Sequence, residues 1–205
     1  MEGQRNGDTP TRILDVAERL VQSRGFNGFS YADIAAEIGI TKASLHYHFA
    51  GKAELGEALI TRYTRRFADA LAAIDGAEGD ALAELEAYAA LYEDVLRGER
   101  MCLCGMLAAE YQTLPRPMQD AVIRFFDENE VWLESVLEKG RTDGTFRFSE
   151  SARETARLVV SALEGAMLTA RPHGGVERFQ AAATALLSSL AAPPAGRAHD
   201  PATHS

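Results

Sequence analysis

The feature that most constrains the fold of this chain is the spacing of its stop signals. Gly25, Gly39, Ala50-Gly51, Gly76, Arg97-Gly98, the run 140–144 and the run 172–175 fall at helix-length intervals. Between them apolar residues recur every three or four positions, the period of a helix with one buried face, and ordinary strand alternation is absent. The chain therefore reads as all-α, with about nine helices. Thr9-Pro10 opens the first, which puts Ile13, Leu14, Ala17, Leu20 and Val21 on one face and has Gly25 past its end. Ser30 caps a second over Tyr31–Ile38, Gly39 ends it, and Thr41 caps a third over about 42–49. A fourth repeats Leu55, Leu59, Tyr63, Phe67 and Leu71 every four residues. The fifth spans about 80–96. The sixth, 101–111, is apolar almost all round and is expected to be buried. Pro115 and Pro117 open a seventh that the run 140–144 closes. Ser151 and Glu154 make a capping box for the eighth, and the ninth covers about 176–192.

The second and third helices are joined by a very short turn. Ala35 is small where a paired helix must approach, and Gly39 supplies the left-handed backbone such a turn needs. Ile34, Ile38, Ile40, Leu45 and Phe49 form its inner seam. This is a helix-turn-helix pattern, whose second helix enters the major groove of DNA. Lys42 and Ser44 at the exposed start of that helix can donate to guanine acceptors or phosphates, and Ala43 can touch a thymine methyl.

The run 29–49, followed by Gly51-Lys52-Ala53-Glu54-Leu55, resembles the N-terminal domain of the TetR family of bacterial transcriptional regulators, mostly repressors. The close match covers about residues 11–59, and the remainder agrees in helix layout and length. The resemblance implies a helix-turn-helix domain at 1–52, a connecting helix at 52–74, and a ligand-binding and dimerisation domain at 53–192. Residues 193–205 are polar and expected to be disordered. It also implies roles. Lys42, Ala43 and Ser44 meet base edges, and Thr41 caps the recognition helix near a phosphate. Tyr47 and His48 lean on the DNA backbone, Lys52 contacts phosphate, and Ser30 meets another phosphate at the second helix. His46 stands where many members carry Tyr and can still donate to a phosphate. A metal pair at His46 and His48 is disfavoured, since positions i and i+2 diverge on a helix. No cofactor or metal is expected.

The later helices supply candidate ligand-binding residues: Tyr63, Phe67, Tyr88, Tyr92, Met101, Cys102, Cys104, Met106, Leu107, Tyr111, Phe125, Asn129, Trp132, Leu163, Glu164 and Met167. Such a lining suits a small apolar or aromatic molecule held by a few polar groups. Asn129 and Glu164 stand out, because a polar group on an apolar face needs a partner. A second mechanism is thiol-based sensing of an electrophile or oxidant at Cys102 or Cys104, with Arg100 favouring the thiolate. Small residues on the eighth and ninth helices, among them Ser161, Ala162, Gly165, Ala181 and Ala185, permit close approach. The resemblance implies a homodimer through that pair, and thus a roughly palindromic double-stranded DNA operator.

No phosphate loop, nucleophile elbow or zinc-protease motif appears, so an enzyme is not expected; a helical adaptor without DNA affinity is the remaining class. No secretory signal or membrane span is visible, and two cysteines that cannot pair on one helix suit a reducing cytoplasm. The net charge of −9 argues against a protein that coats nucleic acid with its whole surface. Its distribution sharpens the point. Residues 1–74 hold nine basic and nine acidic side chains, and residues 75–205 hold 12 and 21. The acidic surplus thus lies outside the expected DNA-reading segment, where it favours head-first docking.

Overall fold

A computed structural model describes residues 9–192. Over that span the chain forms nine α-helices: α1 Thr9–Arg24, α2 Tyr31–Ile38, α3 Lys42–His48, α4 Lys52–Asp75, α5 Ala81–Arg97, α6 Leu103–Ala109, α7 Arg116–Thr142, α8 Ala152–Ala170 and α9 Val176–Leu190. Short 3-10 turns at Tyr111–Thr113 and Arg171–His173 join α6 to α7 and α8 to α9. The expectation for residues 193–205 lies outside the described residues.

The first three helices close around Ile13, Ala17, Leu20, Ile34, Leu45 and Phe49, all buried. Helix α2 ends on Gly39, whose φ of 73° lets its amide return to the Ala35 carbonyl. Helix α4 then runs into the second layer, where it packs on α7, and α8 packs between α7 and α9. Leu55, Leu59 and Leu71, expected on one face of α4, are buried there.

Two boundaries differ from the sequence reading. The sixth helix is shorter than 101–111. The Met101 amide donates to the Gln22 carbonyl at 3.1 Å, and the Cys102 sulfur accepts from Gly105 N at 3.4 Å, so the helix starts only at Leu103. At its far end the chain tightens into the turn Tyr111–Thr113. The seventh helix ends at Thr142, inside the expected run 140–144. Gly140 is buried there because Phe146 folds back onto it: a Cβ would sit 2.2 Å from the Phe146 ring. Gly144, at φ 78°, makes the reversal. Lastly, α9 stops at Leu190, because residues 190–192 pair with the chain after α7. Arg147 N donates to Leu190 O and Ala192 N to Thr145 O, each at 2.8 Å.

Candidate functional site

The helix-turn-helix presents its expected residues outward. Lys42, Ala43, His46 and Tyr47 are exposed, Tyr47 at 86%, while Leu45 between them is buried. Thr41 Oγ1 accepts from the Ser44 amide at 3.1 Å and starts α3. Ser30 N and Oγ both donate to Asp33 Oδ2 at 2.7 Å, so that hydroxyl is engaged within its own helix start. His46 Nδ1 donates to the Ala50 carbonyl at 3.1 Å, which leaves Nε2 as an acceptor in the neutral ring. Tyr47 and His48 meet edge to face at 5.3 Å.

Lys52 is less free than the sequence reading expects. Its ammonium donates to the Phe29 carbonyl and lies 4.1 Å from the Phe29 ring centroid and 4.8 Å from that of Phe26. Burial lowers its pKa, opposed by the charges of Glu110 and Asp33. The side chain thus pins the loop before α2 to the start of α4. Lys52→Ala is expected to cost about 1–2 kcal/mol in urea unfolding without DNA. An unchanged midpoint would mean that this corner holds without it.

The second site is a buried aromatic core. Phe67 of α4 meets Tyr63, Tyr88, Tyr92 and Phe125 at ring distances of 5.3–6.3 Å. Tyr88 also stacks on Trp132 at 5.5 Å, with planes 20° apart. A polar thread runs through these rings. Tyr88 OH donates to Asn129 Oδ1 at 3.2 Å and lies 3.1 Å from Tyr92 OH, while Asn129 Nδ2 donates to Phe125 O at 2.7 Å. Trp132 sits at the rim, its Nε1 donating to Asp75 Oδ1 at 2.8 Å. Met101, Leu107, Leu163 and Met167 are buried. Two predicted ligand residues lie toward the edge. Met106 is half-buried, its sulfur 3.8 Å from Arg171 Nη1, and Tyr111 is half-buried in the turn after α6. Open surface hollows of about 510 Å³ between α5 and α9 and about 400 Å³ between α4 and α5 contain none of the predicted residues.

On α8 the Glu164 carboxyl faces α6. A Cβ at Gly105 would stand 2.3 Å from Glu164 Oε2, so the glycine makes room for the carboxyl. Oε1 is buried without a hydrogen-bond partner. Burial raises this carboxyl from the usual 4.5 to about 7, and contact with the Cys102 thiol only partly offsets it. A raised folded-state value means that the protonated form fits the fold. Its stability is complete below about pH 4.5 and is lost as pH rises through about 7. Glu164→Gln is therefore expected to gain about 3 kcal/mol on the parent between about pH 5 and pH 8. Parallel unfolding curves across that range would contradict it.

The thiols do not match the expectation of an accessible reactive cysteine. Cys102 and Cys104 are free and buried, and burial, reinforced by Glu164, pushes both well above the usual thiol range. Arg100, expected to favour thiolate, reaches Gln22 Oε1 instead, at 3.4 Å.

A group that the sequence reading missed joins the two sites. Glu110, which ends α6, accepts from the amides of Phe26 and Asn27 in the loop after α1, the second at 3.2 Å. Asn27 Nδ2 donates to Thr113 Oγ1 at 2.8 Å, and Arg171 donates to the Ser23 carbonyl. With Met101 N on Gln22 O, helix α6 is fastened to the DNA-reading segment at one side and forms a wall of the aromatic core at the other. Nothing local flags Glu110, whose partners lie more than eighty residues away. Also missed was Glu18 on α1, 5% exposed, which takes Arg62 of α4 at 2.8 Å and Arg66 as well.

A helix-turn-helix head coupled to a helical sensing core defines a class, the one-component DNA-binding regulators, and the comparisons agree. Residues 13–59 match the family described as bacterial regulatory proteins, tetR family, and residues 81–186 match the tetracyclin repressor-like C-terminal domain. The chain belongs to the TetR family: it is a ligand-responsive DNA-binding transcriptional regulator of a non-enzymatic family. It is 36% identical over 171 residues to the HTH-type transcriptional regulator LmrA of Bacillus subtilis, covering 79% of this chain and 86% of that one. A TetR-family regulator from Agrobacterium tumefaciens superposes with a TM-score of 0.87 at 32% identity, covering 91% of this chain and 99% of the other. One from Legionella pneumophila does so at 0.79 and 34%, covering 87% and 95%. Among the described residues no helix is long and apolar enough to cross a membrane.

Proposed function

We propose that this regulator is a cytoplasmic repressor that sits as a homodimer on a roughly palindromic operator and leaves it when a small apolar or aromatic molecule enters the core around Phe67, Tyr88 and Asn129. The observation that carries this reading is α6, bonded to the loop at 26–27 through Glu110 at one end, while Cys102, which caps its other end, accepts from the Tyr63 hydroxyl of the core at 3.7 Å. A molecule that parts the core must move α6, and the head with it. Such coupling is typically about 1–3 kcal/mol. In the head, Lys42, Ala43 and Ser44 read base edges, while Ser30, Thr41, His46, Tyr47, His48 and Lys52 reach phosphates. Lys52 can do this with the ammonium hydrogens that Phe29 leaves free.

The dimer reading rests on the outer stripe of α8. Leu158 and Leu168 are 56% and 63% exposed, and Ser161 and Gly165 lie between them at helical spacing. A Cβ on Gly165 would meet nothing within this chain, so no internal packing requires a glycine there. On α9, Ala181 and Ala185 are exposed beside it. A selection of bound genomic fragments, followed by a screen for small molecules that release them, tests the proposal. It expects fragments sharing an inverted repeat and release by compounds with an apolar body. Fragments without a shared repeat, or a protein that stays monomeric on them, would refute it.

A further inference from the structure

We propose that the effector is a lipophilic monocation, an ammonium on an aromatic or alkyl body, and that Glu164 is its counter-charge. This deepens the reading of the core as the effector site and rests on it.

Three observations lead there. The first is the orphaned oxygen: Glu164 Oε1 is buried with no partner, although a buried carboxyl oxygen ordinarily finds a donor. The second is the company the carboxyl keeps. The groups that face it are the phenols of Tyr63 on α4 and of Tyr88 and Tyr92 on α5, and the thiols of Cys102, which caps α6, and of Cys104 on it. All are neutral near pH 7, since burial raises each of them. From α7 the nearby groups are Asn129 and Glu130, whose charge reaches Tyr88. Among the described residues no lysine, arginine or histidine forms an ion pair with Glu164. Glu130 pairs with Arg157, whereas the Glu164 carboxyl has no cation among the described residues.

The third observation is the wall itself. Tyr63, Phe67, Tyr88, Tyr92, Phe125 and Trp132 form one continuous set of touching rings. Ring faces attract cations, and a desolvated carboxylate does so more strongly. An anionic ligand would meet a carboxyl and no positive charge. A neutral hydrocarbon would leave Oε1 as it is, without a donor. A cation with an apolar body satisfies both the rings and the acid. The rings now pack on one another, so its entry requires them to separate.

The chain's single tryptophan, Trp132, reports the event, because it stacks on Tyr88 at the rim. Three probes are titrated while Trp132 emission is followed: benzyldiethylammonium, whose N–H can donate to Oε1, the hydrocarbon with CH in place of its NH, and benzoate. The full-length protein is expected to bind the ammonium at least about tenfold more tightly than the isosteric hydrocarbon, and benzoate most weakly. Glu164→Gln keeps the shape, removes the charge and is expected to fold. It should lose that preference while keeping its affinity for the hydrocarbon. In the parent, binding of the ammonium should tighten roughly tenfold from about pH 6 to about pH 8, and binding of the hydrocarbon should not. If the variant holds the ammonium as tightly as the parent does, or if the hydrocarbon binds equally well, the cation proposal fails and the core remains the effector site. If no probe perturbs Trp132 and none releases operator DNA, the core itself is refuted as the effector site, and the proposal with it.

Discussion

Glu110→Ala is expected to leave effector binding intact while cutting the effector's influence on operator affinity to less than about threefold. The carboxylate carries two backbone amides, those of Phe26 and Asn27, that have no helix to satisfy them. Each charge-assisted bond contributes on the order of 1.5 kcal/mol, and the part-buried Phe26 amide left without an acceptor costs about as much again, whereas the exposed Asn27 amide can turn to water. The chain has shaped itself around the contact: Gly25 stands at φ 83°, and a Cβ there would lie 2.8 Å from Glu110 Oε1. Without the carboxylate the loop is free of α6, and a shift of α6 no longer reaches the head through it. Operator affinity measured with and without effector gives the coupling, and amide exchange at Phe26 and Asn27 reports the loosening. Full coupling together with unprotected amides would place transmission elsewhere.

The second large effect concerns Glu18. Its carboxylate lies between the guanidinium groups of Arg62 and Arg66, and Arg62 is itself only 14% exposed. Glu18→Ala leaves Arg62 with Asp15 alone, at 2.8 Å on an exposed edge. Because Arg62 keeps that one exposed partner, the loss is expected to be about 2 kcal/mol, a melting midpoint lower by about 6 °C. The paired change Glu18→Leu with Arg62→Met should recover most of that loss, because it removes both charges together. Equal losses in the single and double variants would mean that the packing of these side chains, and not their charges, fastens α1 to α4.

The parts of this molecule that can be read from its sequence are those in which cause and effect are close along the chain. Ser30 with Asp33, Thr41 with Ser44 and Gly39 with Ala35 all act within four residues, and they outline the DNA-reading head. Asn129 and Glu164 are visible as polar groups on apolar faces. Their environments are not: Tyr88 lies forty-one residues from Asn129, and Glu164 has no hydrogen-bonding partner at Oε1. Gly140 is legible as a glycine but not as the floor under Phe146, since a stop signal and a packing requirement use the same residue. The setting of the thiols is not legible from their neighbour in sequence, since both are buried and Arg100 points to Gln22. The joint between head and core was silent for the same reason, for its bonds link residues 22–27 with residues 101–113 and 171.

That joint has a consequence for how such a regulator can be rebuilt. On the head's side it grips mainly main chain: the carbonyls of Gln22 and Ser23 and the amides of Phe26 and Asn27. None of the residues that would face DNA takes part except Lys52, through its hold on Phe29. Address and message are therefore written in separate places. Residues 30–49 can be exchanged for those of another family member as a cassette, giving a hybrid that answers the same compound at a new promoter.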